Sequence, residues 1–366
     1  MRFALSEEQE ELAAAVRGLV ERRAGGVDVR AAAASERGYD EELWGTLSSQ
    51  IGVAALAIPE DYGGAGFGLF ETHVVLEQLG ASLTPSPLLG SAVLAAQAVL
   101  AAAGPADCER LLPGIAEGTS IAALAWADAR GRWRTDASDV RATERDGWNL
   151  TGSATLVLDG ATADVLLVVA DTGAGLGLFE VDPAAAGVTR TPTPAVDLTL
   201  QLAEVTLESA PATVLSTDAA EALERVRAVA TVAVTALQVG GAQAAMDRTV
   251  AYLKEREQFG RPLGSFQALK HRAADMLVAV ETARSMSWSA AWAASEDGPD
   301  LRLQASLAKA WCTDAFNAVA AEAVQLHGGI AITWEHDAQL YFKRAHATAQ
   351  LFGAAHEHRA RILPHL

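Results

Sequence analysis

The stretch Arg256-Glu257-Gln258-Phe259-Gly260-Arg261-Pro262-Leu263-Gly264-Ser265-Phe266-Gln267, followed later by Gln325-Leu326-His327-Gly328-Gly329, decides how this chain is read. Arg256 stands at the end of a long alanine-rich run, just before Phe-Gly-Arg-Pro. An arginine leaving a helix there can clamp a pyrophosphate, because its planar fork donates two parallel charged hydrogen bonds to phosphate oxygens. Gly328 and Gly329 carry no side chain to hold backbone away from a nucleotide, and their N–H groups can face outward.

The runs on either side predict helices over about Asp218 to Arg256, Phe266 to Ser295 and Asp300 to His327, with a last helix after Gly353. Short connections between long helices favour an antiparallel four-helix bundle. Upstream, from about Ala122 to Leu215, the pattern changes to short β-rich runs broken by Gly, Asp and Pro. These are Trp148 to Thr151, Thr155 to Leu158, Val165 to Ala170, Leu176 to Val181 and Leu200 to Leu207, and they predict an antiparallel barrel or sandwich.

The first third reads as helical. Ser6 followed by Glu7, Glu8 and Gln9 is an N-cap with an acidic first turn, opening a helix through Ala13, Val16, Leu19 and Val20. A second helix starts near Asp40 and Glu41, turns Leu43, Trp44 and Leu47 toward a core, and ends near Gly52. Pro59 to Gly66 is a glycine-rich loop, and helical spacing returns from Leu69 to Leu79 and from Leu88 to Ala103. The expected architecture is α+β and multidomain: helical over 1–118, β over 119–216 and a helical bundle over 217–366.

Composition narrows the function classes. The chain has 366 residues, half of them hydrophobic, enough for several regions sharing a substantial core. A formal charge of −18 argues against nucleic acid or an anionic membrane as partner, since both call for clustered Lys and Arg. Cys108 and Cys312 are far apart, lack metal-ligand spacing and read as buried small hydrophobes. The N-terminal segment turns acidic at once and has no apolar core of a signal peptide, and no run long enough to span a bilayer lacks charge. The expectation is a cytoplasmic protein without nucleic-acid or membrane partners and without a bound metal. The C-terminal His346, His356, His358 and His365 fit a solvated helix better than a metal site.

The segment Arg256 to Gln267 closely resembles the C-terminal signature of the acyl-CoA dehydrogenase family, and Gln325 to Gly329 resembles its Gln-x-x-Gly-Gly adenosine contact. Ile58-Pro59-Glu60-Asp61-Tyr62-Gly63-Gly64-Ala65-Gly66 looks like the family's Pro-Glu-x-Tyr-Gly-Gly loop. Asp146 to Gly152 and Ala163 to Ala170 match its β domain more loosely. The order helical, β, bundle matches the family over the whole chain. The resemblance implies FAD shared across a subunit interface, with Arg256, Phe259, Gln267, Gln325, Gly328 and Gly329 as the residues offered to the neighbour's cofactor.

Family members remove an α-proton from an acyl thioester while a hydride leaves the β-carbon, which requires a carboxylate within reach of the α-carbon. The resemblance puts that carboxylate at Phe352 in one branch and at Ala230 in the other, and neither side chain accepts a proton. Asp247 lies too far along the helix from Ala230, roughly 25 Å. Glu224 reads as an exposed helix charge, and Glu335 as a cap at a helix start. The family's Thr-Glu-Pro-x-x-Gly-Ser-Asp segment corresponds to Trp126 to Trp133, and its aromatic-Ile-Thr strand to Leu156-Val157-Leu158-Asp159. No catalytic residue is therefore assigned.

This asymmetry resembles the degenerate subunit of heteromeric α2β2 acyl-CoA dehydrogenases of actinobacterial type, known from steroid side-chain degradation. It implies an FAD-dependent desaturase at the level of a heterotetramer, with a catalytic acyl-CoA dehydrogenase subunit, an acyl-CoA substrate and an electron-transfer acceptor as partners. Three other readings stay open: a self-sufficient homo-oligomeric FAD-dependent dehydrogenase of acyl-CoA or acyl-carrier-protein thioesters, a flavin-free scaffold subunit, and a homo-oligomer whose Arg256 and Gln267 only cap and pack helices.

Overall fold

The computed structural model describes residues 4–24, 29–296 and 298–365. The chain forms two compact units, Glu21–Thr72 with Pro85–Ala230, and Met1–Val20 with His73–Thr84 and Thr231–Leu366. The helices of the first third are α1 (Glu7–Ala24), α2 (Val29–Ala33), α3 (Glu41–Thr46), α4 (Leu69–Ala81), α5 (Ala96–Ala102) and α6 (Pro105–Ala116). Seven strands follow: β1 (Ala122–Ala125), β2 (Arg141–Glu144), β3 (Trp148–Leu158), β4 (Val165–Asp171), β5 (Leu176–Val181), β6 (Val188–Pro192) and β7 (Leu202–Ser216). After them come α7 (Ala220–Glu255), the small strands β8 (Glu257–Gln258) and β9 (Arg261–Pro262), then α8 (Gln267–Ser295), α9 (Leu301–His327), α10 (Ala338–Gln350) and α11 (Ala355–Ile362).

In the first of these units, the five strands β4, β2, β3, β7 and β5 close a ring, with β1 added beside β4 and β6 beside β7. The expected barrel is present, but it is not wholly antiparallel, since β1 runs parallel to β4 and β2 touches β4 in parallel at Arg141 and Asp171. Such pairings need long crossovers, and the chain between these strands supplies them. The interior is filled by Leu150, Leu166, Val168, Phe179, Val205 and Leu207, all at most 1% exposed. The two runs Trp148 to Thr151 and Thr155 to Leu158 form one strand, kept continuous by register shifts where β3 meets β7. β1, β2, β6 and α6 were not legible, because Ala-Ala-Leu-Ala and Arg-Ala-Thr-Glu carry almost no β-branched signal, and Pro113 and Gly114 interrupt α6.

Also in this unit, the Asp40 carboxylate accepts from the N–H groups of Glu42 and Leu43 and starts α3, as its position implied. The helix runs into a π-helical turn, Leu47–Ile51, and stops at Gly52 in the left-handed region. The Pro59 to Gly66 loop folds tightly on itself, and any side chain at Gly64 would collide with the Ile58 carbonyl.

In the other unit, Ser6 and Gln9 cap the start of α1 reciprocally, the Gln9 N–H donating to Ser6 Oγ and the Ser6 N–H to Gln9 Oε1. α7 through α11 pack as a helical domain that includes α10, a helix beyond the four-helix plan. α7 is apolar enough by composition to cross a membrane, but 89% of its most apolar window is buried in protein, so it is a core helix. Glycines set its approach to α4. Side chains at Gly240 or Gly80 would run into the Glu77 carbonyl and the backbone of Leu237. From α8 the Arg284 guanidinium binds the Glu77 carboxylate of α4, which also accepts from Trp288 Nε1 at 2.9 Å, while Arg284 donates to Gln243 Oε1 of α7 at 2.7 Å. Cys108 and Cys312 are both buried, each in its own unit.

Candidate cofactor half-site

α7 ends at Glu255, and the next residues turn back as the β8–β9 hairpin, with Glu257 opposite Pro262 and Gln258 opposite Arg261. Its two-residue loop is Phe259-Gly260, with φ of 56° and 77°. Turns with positive φ at both positions suit the strand twist and prefer Asn or Gly, so an aromatic at the first position is strained. That phenylalanine is also 92% exposed. Strain and exposure both oppose this arrangement in the isolated chain. Phe266 backs it, edge-on to Phe259 with centroids 6.2 Å apart and with the Arg261 guanidinium 4.0 Å over its own ring.

Arg256 is exposed, and its guanidinium has no hydrogen-bond or ionic partner among the described residues; its backbone is fixed by bonds to Tyr252 and Leu263. Gln267 and Gln325 are exposed as well. Gly328 ends α9 with φ 68° and ψ −146°, and a side chain at Gly328 or Gly329 would meet nothing within 4 Å. The two sequence stretches, far apart in the chain, are tied by an aromatic stack. The Tyr252 ring lies on His327, centroids 4.6 Å apart, and His336 covers His327 at 4.6 Å. His327 is buried, its Nδ1 lies 2.7 Å from the Ala323 carbonyl, and burial lowers its pKa. Tyr252, His327 and His336 carried no sequence signal as a group, although Tyr252 stands one turn before Arg256 and His327 directly before Gly328.

These residues fit the nucleotide part of FAD: an unpaired planar cation for phosphate and two unobstructed glycines for close backbone approach. The positions where the family resemblance places a carboxylate hold no acid. Ala230 is fully buried on α7. Phe352 is 1% exposed in a left-handed turn, its carbonyl 3.1 Å from His358 Nε2. His358 is thus a buried structural residue, unlike the solvated one expected, because the turn leaves a carbonyl that requires a partner.

Glu224 is likewise engaged, accepting from the Thr135 hydroxyl and from Arg227 at 2.6 Å, while Arg227 also donates to the Trp133 carbonyl. Glu335 is exposed and does not cap α10; the Ala338 N–H donates to His336 Nδ1 instead. In the Trp126 to Trp133 loop, the N–H groups of Arg130 and Arg132 donate to Asp128 and the Ala129 N–H to Asp139. Burial opposes the Asp128 charge, but the Arg132 guanidinium and the N–H groups of Arg130 and Arg132 hold its carboxyl below the usual range. Leu158 is buried at 4% exposure.

Residues 217–366 match the family model for the acyl-CoA dehydrogenase C-terminal domain, and residues 6–119 match the N-terminal domain. The chain is 40% identical over 358 residues to the acyl-CoA dehydrogenase IpdE2 of Mycolicibacterium smegmatis, covering 98% of both. Among solved structures it resembles a chain of a variant of the Tcur3481-Tcur3483 steroid ACAD, with TM-score 0.88, 34% identity and coverage of 98% and 97%. It also resembles a chain of the ChsE4-ChsE5 complex from Mycobacterium tuberculosis, with TM-score 0.91, 30% identity and coverage of 100% and 98%.

Proposed function

Because the chain belongs to the acyl-CoA dehydrogenase family, we propose that it acts as the non-catalytic partner in a heterotetramer that desaturates a bulky, steroid-type acyl-CoA, completing the FAD site of a catalytic subunit. The observation that carries this reading is the contrast between two sets of positions. Arg256 is exposed and unpaired beside a strained, exposed Phe259, whereas Ala230 and Phe352 are buried and cannot take up a proton. FAD, when bound, supplies the hydride acceptor of the reaction. The residues of this chain bind and orient: Arg256 holds a phosphate, Gly328 and Gly329 admit the nucleotide to backbone distance, and Gln267, Gln325 and Phe259 line the approach. The partner supplies the base. Two solved relatives described as a steroid enzyme and as a two-component complex support the same assignment by similarity.

The test is expression of the chain alone and with an acyl-CoA dehydrogenase partner, followed by the flavin-to-chain ratio and reduction by acyl-CoA thioesters. Flavin retained only in the mixed assembly, at about half a flavin per chain, is the expected result. Stoichiometric FAD in the isolated chain, bleached by an acyl-CoA, would overturn it.

A further inference from the structure

Gly328, Gly329 and Ile330 lie on the surface directly after α9, and Ala331 is the one buried residue of the segment before α10 begins at Ala338. The segment therefore has little burial of its own to keep it in one place. His336 supplies a hold. Its ring is half-buried and lies against His327, centroids 4.6 Å apart at 56°, while Tyr252 stacks on the same His327 ring. Its Nδ1 accepts from the Ala338 N–H at 3.1 Å, at the start of α10. One side chain thus touches the last residue of α9 and the first of α10, and through His327 it reaches the last turn of α7, where Tyr252 stands one turn before Arg256. A second tie runs in parallel, since Asp337 pairs with Arg248 of α7 at 3.3 Å. Both of those side chains are exposed, and an exposed ion pair contributes little.

We propose that the ring of His336 is a positioning element of the nucleotide half-site: it holds His327, and with it the Gly328–Gly329 backbone, against Tyr252 and in a fixed place relative to Arg256. The inference rests on the flavin reading above and adds to it a residue that need touch no flavin. A segment already ordered in its bound form gives higher affinity, because binding then loses less conformational freedom. His327 can transmit the hold, since its own ring is oriented by Nδ1, 2.7 Å from the Ala323 carbonyl. The two contacts of His336 have separable effects. Its Nδ1 accepts one of the N–H groups that the start of α10 leaves unmet, which supports the fold. Its ring packs on His327, which aligns the backbone that follows. The second effect needs an aromatic face and no proton acceptor, so phenylalanine should supply it and asparagine should not.

The test measures FAD dissociation constants for the mixed assembly carrying His336→Ala, His336→Asn or His336→Phe. Amide hydrogen exchange over residues 326–333 of the isolated full-length chain gives a readout without flavin, and thermal midpoints check folding. His336→Ala and His336→Asn should weaken FAD binding about three- to tenfold and speed exchange over that segment, although asparagine keeps an acceptor for the Ala338 N–H and a midpoint near the parent's. His336→Phe should restore FAD affinity and exchange to within about twofold of the parent, while its midpoint falls through the lost acceptor. FAD bound as tightly by the asparagine variant as by the parent, or as weakly by the phenylalanine variant as by the alanine one, would overturn the inference. An assembly that takes up no FAD even with the parent chain would end the flavin reading instead. Exchange would then decide the positioning role by itself: faster in the asparagine variant but not in the phenylalanine one supports it, and equal rates in parent and asparagine variant overturn it.

Discussion

Tyr252 and His327 stack with centroids 4.6 Å apart and 29° between their planes, joining the last turn of α7 to the last turn of α9. Four residues beyond Tyr252 stands Arg256, and directly after His327 come Gly328 and Gly329. The stack therefore fixes the distance between Arg256 and the Gly328–Gly329 backbone. Replacing Tyr252 by Leu keeps an apolar side chain and removes the stack, worth about 0.5–1.5 kcal/mol. The expected outcome is a small drop in thermal midpoint with a larger loss of flavin from the mixed assembly. A loss of stability alone would make the stack mere packing.

Arg256→Ala should lower FAD affinity of the assembly about ten- to a hundredfold, through loss of roughly 1.5–3 kcal/mol in charged hydrogen bonds. Lys should not restore it, because an ammonium cannot form the same fork. The fold should survive, since this exposed side chain has no hydrogen-bond or ionic partner among the described residues. Flavin content and oligomer mass of the co-expressed variant check both halves of the expectation. Full flavin occupancy would favour the scaffold alternative.

Ala230→Glu and Phe352→Glu should not create activity in the isolated chain. A base works only where substrate and acceptor are already aligned, and positioning contributes as much as proton transfer. Both sites are also closed to solvent. Phe352→Glu removes a buried ring and should cost about 3–5 kcal/mol, readable by denaturant titration. Turnover of an acyl-CoA by either folded variant would contradict the assignment.

Asp159 gives stability a definite pH dependence. Burial raises its folded pKa to about 7, while the unfolded value is about 3.9. Between these values the native state holds the extra proton, so stability falls as pH rises from about 4 to 7 and is level above. Linkage puts the full effect at up to about 4 kcal/mol. Asp159→Asn should match the parent near pH 4 and exceed it increasingly up to pH 7, as measured by thermal midpoints across pH. An unchanged difference over that window would mean the carboxyl is solvated.

Glu77 and Arg284 form a pair largely removed from water, with side-chain exposures of 9% and 18%. Glu77→Ala leaves the guanidinium without its main counter-charge and should cost about 3–5 kcal/mol in denaturant titrations. The double variant Glu77→Leu with Arg284→Met should recover most of that loss. No recovery would mean that the hydrogen bonds to Trp288 and Gln243, rather than charge, hold this region.

The sequence by itself determined the elements whose signals are local. Proline-free alanine-rich runs ending at Gly or at Phe-Gly gave α7, α8 and α9 to within about two residues, and Val165 to Ala170 read as a strand because it is a run of buried β-branched and leucine side chains. Arg256 and the glycine pair were legible for the same reason, since turn chemistry and backbone access are properties of a few adjacent residues. Only the tertiary structure decided which distant residues meet. β1 is a strand because Ala122 to Ala125 lie beside Val165 to Val168, and its own alanines say nothing of it. His358 is buried because a left-handed Phe352 turn presents a carbonyl to it. Tyr39 and Asp159 share a cleft because the chain folds the bend between α2 and α3 against the end of β3. Such pairings follow from which surfaces are left to be covered once the local elements exist, and no window of sequence contains that information.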